Sequence, residues 1–323
     1  MVTLMVTGTI KVKNMDDKRN ASAVKGITRW SQIKIYVGKL FRLFISERGW
    51  KVLIFAAIIA LLVSSMIWDS MFVYTMETSR GIFSLVSACT WIGIFNSIQS
   101  ICKERGIIKR EHRSGLYMSA YIIAHLIYEA VICFLQAIIL MGCSMIFMKY
   151  PAKTAFFGNI WLEYFITWFL IIYAADVLGI AISSIVKTPA TAMTVMPFVL
   201  IFQLMLSGFL FSPAGIGSLF SRATVTNWGM RAGLISAGYN EIDNTETVRL
   251  TNSLHKIVLD NEIDLQRDVI DAAVREYYHP TLDSSYDHNW HNLVLNWTAL
   301  IIHTVVYALL AIFSLQFIDR DKR

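Results

Sequence analysis

The sequence has 323 residues, of which 55% are apolar or aromatic and 16% charged, with a formal net charge of +6 and a mean hydropathy of +0.52. Soluble domains carry about 25% charged residues, so this composition cannot cover a water-facing surface and predicts an all-α integral membrane protein. Disorder is excluded on the same numbers. So is a disulfide scaffold, because Cys89, Cys102, Cys133 and Cys143 all fall inside apolar runs and read as reduced core residues.

Residues 1–26 are polar and charged and are expected to form a mobile cytoplasmic N-terminus. The opening ten residues have no basic start and are too short to cross a bilayer, so no signal peptide is expected. Residues 27–46 read as an interfacial amphipathic helix. Ile33, Val37, Leu40, Phe41 and Phe44 recur at helical spacing on one face, with Ser31, Lys34 and Arg42 opposite.

A helix needs about 20 apolar residues, at ~1.5 Å each, to cross a hydrocarbon layer of ~30 Å. Six stretches reach that length: residues 52–68, 81–102, 117–148, 159–186, 190–211 and 293–318. Residues 47–211 would thus hold the first five spans, with a loop at 103–116 between the second and third. A long extracytoplasmic loop, 212–292, precedes the sixth span, and 319–323 form a cytoplasmic tail. Residues 212–238 are apolar and Gly-rich and suit short re-entrant helices, whereas 241–278 have soluble character with helical patterns at 248–259 and 265–277. Orientation follows from the basic residues: twenty Lys and Arg fall on the side of both termini and nine on the other. A multi-pass protein of the cell membrane with both termini cytoplasmic is the expected topology.

No GxxxxGK[ST] phosphate loop, GxSxG elbow, HExxH helix or CxxC pair occurs, so no enzyme activity and no bound cofactor are expected of this chain. His288 and His291 beside Asp287 read as loop histidines rather than a metal site. Nothing in the placement of the basic residues points to nucleic acid.

Ionisable groups at bilayer depth are costly and stand out. Glu129 lies about 18 Å into the third span, His125 one turn before it on the same face, and Asp176 near the middle of the fourth. Gln99, Asn96 and Gln203 are their candidate neutral partners, and Glu163 falls at the outer end of the fourth span. An ion-coupled carrier could use Glu129, His125 and Asp176. An interhelical hydrogen-bond network is the preferred reading, because no chain of ionisable groups threads several helices.

Two segments narrow the class. ERGIIKREHRSGLYMSAYIIAHLIYE, residues 104–129, resembles the loop after the second span of type-2 ABC exporter permeases, especially the G-subfamily of white and pleiotropic-drug-resistance type. The matching positions are Glu104, Arg105, Arg110, Glu111, Gly115, Tyr117, Ser119, Tyr121 and Glu129. SGFLFSP, residues 207–213, followed by Trp228, resembles the end of span five and the re-entrant outer helices of the same family. The chain departs from the G-subfamily in showing no nucleotide-binding domain ahead of the permease and none of the loop cysteines that cross-link many eukaryotic members.

The resemblance implies an export permease that works as a homo- or heterodimer in membrane lipid. ATP and Mg would sit on a separate ABC ATPase subunit. It places Glu104, Arg105, Lys109, Arg110, Glu111 and Arg113 in a lever gripped by that ATPase. It also implies a substrate pathway lined by Cys89, Ile92, Phe95 and Asn96 from span two and by Pro197, Ile201 and Leu204 from span five. Phe209 and Leu210 would form an apolar plug that blocks leakage by dewetting.

Overall fold

A computed structural model describes residues 28–67, 71–150, 157–211, 215–261, 266–278 and 283–317. The expected tails, 1–26 and 319–323, lie outside the described residues. Among the described residues, twelve α-helices follow in chain order: α1 (Arg29–Ser46), α2 (Lys51–Ser65), α3 (Thr75–Ser97), α4 (Ser100–Arg113), α5 (Met118–Phe147) and α6 (Ile160–Ile185). After them come α7 (Pro189–Met205), α8 (Ile216–Arg222), α9 (Val225–Ala237), α10 (Thr245–Asp260), α11 (Arg267–Tyr277) and α12 (Trp290–Gln316).

Among the described residues, four rods are long and apolar enough to cross a membrane: Thr75–Arg113, Met118–Phe147, Ile160–Ile185 and Trp290–Gln316. α1 and α2 together meet the same test but are bent by 71° at their junction. α7 has 17 residues, about 26 Å, and falls short of a full crossing.

Small residues set the closest helix contact. A Cβ at Gly93 of α3 would run into the Ile172 carbonyl of α6 and come within 2.9 Å of the Ala175 Cβ. Gly179 of α6 meets the Ser97 side chain in the same way. Backbones that approach this closely allow side chains to hydrogen-bond across helices: the Ser97 hydroxyl donates to the Asp176 carbonyl at 2.5 Å, and the Ser183 hydroxyl accepts from the Ile101 and Cys102 amides at 3.1 Å. α12 closes the other side of α6, with the Trp297 indole donating to the Thr167 hydroxyl at 2.9 Å.

α9 is almost wholly buried, against α3 through Ile82 at Gly233 and against α6 through Ile171 at Gly229. The side-chain oxygen of Gln203 accepts from the Val225 and Thr226 amides at 3.0 and 3.3 Å, so Gln203 caps α9 and takes no part with the buried acids. Gly238 ends α9 in the left-handed conformation, φ 69°, which a side chain would strain. Within the expected re-entrant segment, α8 and α9 are both helical, but only α9 is buried against protein; Ile216, Leu219 and Phe220 of α8 remain exposed.

Three expectations change. Of the segment 103–116, residues 103–113 are helical and only 114–116 form a turn: α4 continues α3 past a break at Ile98 and Gln99, giving a rod of 39 residues, about 58 Å long. Its Lys, Arg, Glu and Ile residues are sound helix formers, and the charge density that reads as a loop is that of a solvated helix. The apolar face of α1 packs on α5. Ile33 meets Ala120 and Ala124, Tyr36 lies 5.5 Å from Tyr121, and Phe41 and Phe44 lie 5.3 and 6.3 Å from Tyr128. Trp30, Ile35 and Ile45 remain exposed on its other side. Glu163 is fully buried, and its carboxylate accepts the Phe157 amide at 3.2 Å, because the preceding turn folds over it.

Candidate transport and coupling sites

The buried acids meet at one amide. The Asn96 NH2 donates to the Glu129 carboxylate at 2.6 Å and to the Asp176 carboxylate at 2.8 Å, joining α3, α5 and α6. Glu129 and Asp176 are both inside the helix packing, so each carboxylate needs such a donor. Gln99, one turn further along, makes no side-chain bond to this knot. Its carbonyl accepts from Lys103, at the break between α3 and α4. His125 is buried with its ring edge-on to Tyr121, centroids 4.6 Å apart, and among the described residues neither ring nitrogen has a partner. A pocket of about 400 Å³ at the α1–α2 bend reaches this group, walled by Glu47, Lys103, Glu104, His125, Glu129 and Asn96.

The rod's α4 segment is clamped from two sides. On one, Arg105 donates to the Ser184 and Val186 carbonyls at 2.7 and 3.2 Å, satisfying the open C-terminal end of α6. On the other, Lys39 of α1 sits 3.8 Å from Glu104 and 4.0 Å from Glu111, and the Tyr36 hydroxyl donates to Glu111. Burial, reinforced by that bond to Glu111, holds the Tyr36 hydroxyl well above the usual phenol range. Gln32 fixes the turn between α4 and α5: its NH2 donates to the Gly115 carbonyl at 3.1 Å and its oxygen accepts the Tyr117 amide at 3.0 Å. Gly115 takes φ 101° there, which glycine adopts without strain. Glu104 and Glu111 are thus engaged within the chain, while Arg110 and Arg113 stand exposed and Lys109 half-buried.

The residues expected along a pathway divide by exposure. Cys89 and Ile92 are buried in the main apolar cluster between α2, α3, α5 and α6. Phe95 is 44% exposed and stacks on Trp91 at 5.7 Å. Ile92, Phe95 and Asn96 share the wall of a second pocket, about 480 Å³, between α2, α3 and α5. α7 packs on α3 through Ala192, Met196 and Leu200 and leaves Pro197 and Ile201 exposed and Leu204 half-buried. Phe209 stacks on Phe83 at 4.8 Å, whereas Leu210 is half exposed.

Sequence reasoning missed Gln32, Ser97, Ser183 and Gln136. A polar side chain in an apolar span was the available signal for Gln136, which lines the 480 Å³ pocket. Nothing local marks Gln32 or Ser183, whose partners lie 81 or more residues away.

No curated protein matches the sequence. The ABC-2 type transporter family matches residues 31–232, which run from α1 into α9 and include the clamped rod, the three-helix polar knot and the first part of the capped buried helix, while α12 lies beyond the match. That span is well over half of the chain, and its helices are those of a multi-pass membrane protein; the chain belongs to the ABC-2 type transporter family and is a permease subunit of an ABC transporter.

Proposed function

We propose that this chain is the membrane half of an ATP-driven exporter of the G-subfamily type, powered by a separate ATPase that holds ATP and Mg. Six spans, α2, α3, α5, α6, α7 and α12, cross the cell membrane with both termini cytoplasmic. Two permease chains, alike or different, form the pathway where their α3 and α7 faces meet. Phe95, Asn96, Pro197, Ile201 and Leu204 line it, with Cys89 and Ile92 behind them, and Phe209 and Leu210 close its outer end. The exposed Pro197 and Ile201 on the apolar helix α7, together with the exposed Phe95 of α3, support this.

The observation that carries the reading is the rod Thr75–Arg113. The whole rod is about 28 Å longer than a bilayer's hydrocarbon layer, and its α4 part, about 21 Å, is braced by Arg105 on α6 and Lys39 on α1 and turns Arg110 outward. Force applied at Arg110 would reach α3 without a flexible joint other than the break at Ile98–Gln99. The acids of the motif hold α1, and the outward bases grip the motor.

The test is Arg110→Glu in the complex with the ATPase. An exposed charge contributes only ~0–1 kcal/mol to stability, so the variant inserts and melts like the native chain. Association with the ATPase, or substrate-stimulated hydrolysis, falls at least tenfold. Native association and transport by this variant would leave α4 a topology signal only.

A further inference from the structure

The pocket between α2, α3 and α5 has apolar walls and one unanswered polar group. Phe55 and Ile59 of α2 and Trp91 and Phe95 of α3 form its sides. Phe55 is 66% exposed, so the pocket opens on the outer surface of the helix bundle. At its wall sits Gln136 of α5, fully buried, and among the described residues neither its NH2 nor its carbonyl oxygen has a hydrogen-bond partner. Its neighbour at the wall, Asn96, has its own NH2 committed to Glu129 and Asp176.

A primary amide carries two donors and an acceptor, and leaving them bare at membrane depth is unfavourable. A pocket of about 480 Å³ is far larger than the ~30 Å³ a water occupies, and its remaining walls give water little to bond. Apolar walls with one convergent polar group are the form of a small-molecule site. A hydroxyl is the group that completes Gln136, because one oxygen accepts from the amide NH2 and donates to the amide carbonyl. A charged head would find no counter-charge at Gln136 itself.

We propose that this pocket binds an amphiphile with a long apolar body and a single hydroxyl, taken up laterally from the membrane, with the hydroxyl on Gln136. The proposal gives the substrate class of the Ile92, Phe95 and Asn96 wall and rests on the pathway reading above. Its test is binding to the full chain without ATPase or ATP, so that failure of binding and failure of coupling are read separately.

The probes are a long-chain primary alcohol carrying a diazirine and the same chain lacking the hydroxyl, photolysed with the protein in lipid nanodiscs. The alcohol is expected to reach half-maximal labelling at least tenfold lower concentration, with adducts in Lys51–Ser65 and Thr75–Ser97. Gln136→Leu keeps labelling but removes the difference between probes. Ile59→Trp fills the pocket and lowers labelling by both, which decides the matter even if the first variant does not insert. Equal labelling by the two probes in the native chain, adducts confined to other helices, or a hydroxyl preference that survives Gln136→Leu would overturn the proposal.

Discussion

Asn96 and Gln136 wall the same pocket and end in the same amide, yet their surroundings are opposite. Asn96 uses both its N–H groups on carboxylates of two other helices, while Gln136 makes no bond among the described residues. One amide is a structural tie that three helices depend on. The other makes no such tie among the described residues, and in the proposal above it is the group that meets a ligand.

The largest effect is expected at the tie. Asn96→Leu leaves Glu129 and Asp176 buried and facing each other without a donor. Leaving a buried polar group without its partner costs ~1–3 kcal/mol, against ~0.6 kcal/mol for an ordinary bond between membrane helices. A loss of about 3 kcal/mol is therefore expected in unfolding of the detergent-solubilised chain. A loss near 0.6 kcal/mol would reduce Asn96 to an ordinary interhelical contact and erase the contrast. Gly93→Ala attacks the same tie from behind. Its Cβ would press on the Ile172 carbonyl and lie 2.8 Å from the Asp176 amide, moving α3 off α6 at an expected cost of about 1–3 kcal/mol in the same measurement.

Gln136→Leu is the counterpart. Replacing an unbonded amide with an apolar side chain of similar size removes a desolvation penalty, so stability should stay unchanged or rise by up to about 1 kcal/mol. A loss as large as that of Asn96→Leu would mean Gln136 is a second tie.

How much of this was legible in the sequence follows from the range of each signal. Apolar length alone marks α5, α6 and α12 to within a few residues, because a run of that hydropathy has no other stable home. The three-residue and four-residue steps also place His125 and Glu129 on one face. α4 was hidden because a hydropathy window stops where charge begins, although the segment is helical to Arg113. The tie itself was half visible: Asn96, Glu129 and Asp176 are conspicuous in apolar spans, but nothing local says that Asn96 rather than Gln99 or Gln203 reaches both acids. Gly93 decides that, by letting α3 approach α6 closely. That Gln136 has no hydrogen-bond partner among the described residues follows from how the helices pack and has no sequence signature beyond the residue type.

The smallest effect lies outside the membrane pair and serves as its control. Asp283 starts the short turn that pins the outer segment to the end of α9, where Asn240 donates to the Asp283 carbonyl at 3.0 Å and His288 bonds the Ile235 carbonyl at 2.6 Å. The Ser285 amide, 2.9 Å from the Asp283 carboxylate, and the Ser285 hydroxyl hold this acid below the usual carboxylate range, with Arg231 adding a smaller pull. A depressed folded value means the contribution is present above the unfolded value, about 3.9, and is lost as pH falls through the folded value. Because Asp283 is largely exposed, the change is expected to be local. Protection of the amides over residues 283–292, relative to their intrinsic exchange at each pH, should fall below about pH 4 in the native chain and lose most of that pH dependence in Asp283→Asn, with the melting of the helical bundle unmoved. If acid instead loosens the bundle and Asp283→Asn prevents it, the outer turn is coupled to the membrane ties. The contrast between Asn96 and Gln136 would then have to be measured at fixed pH.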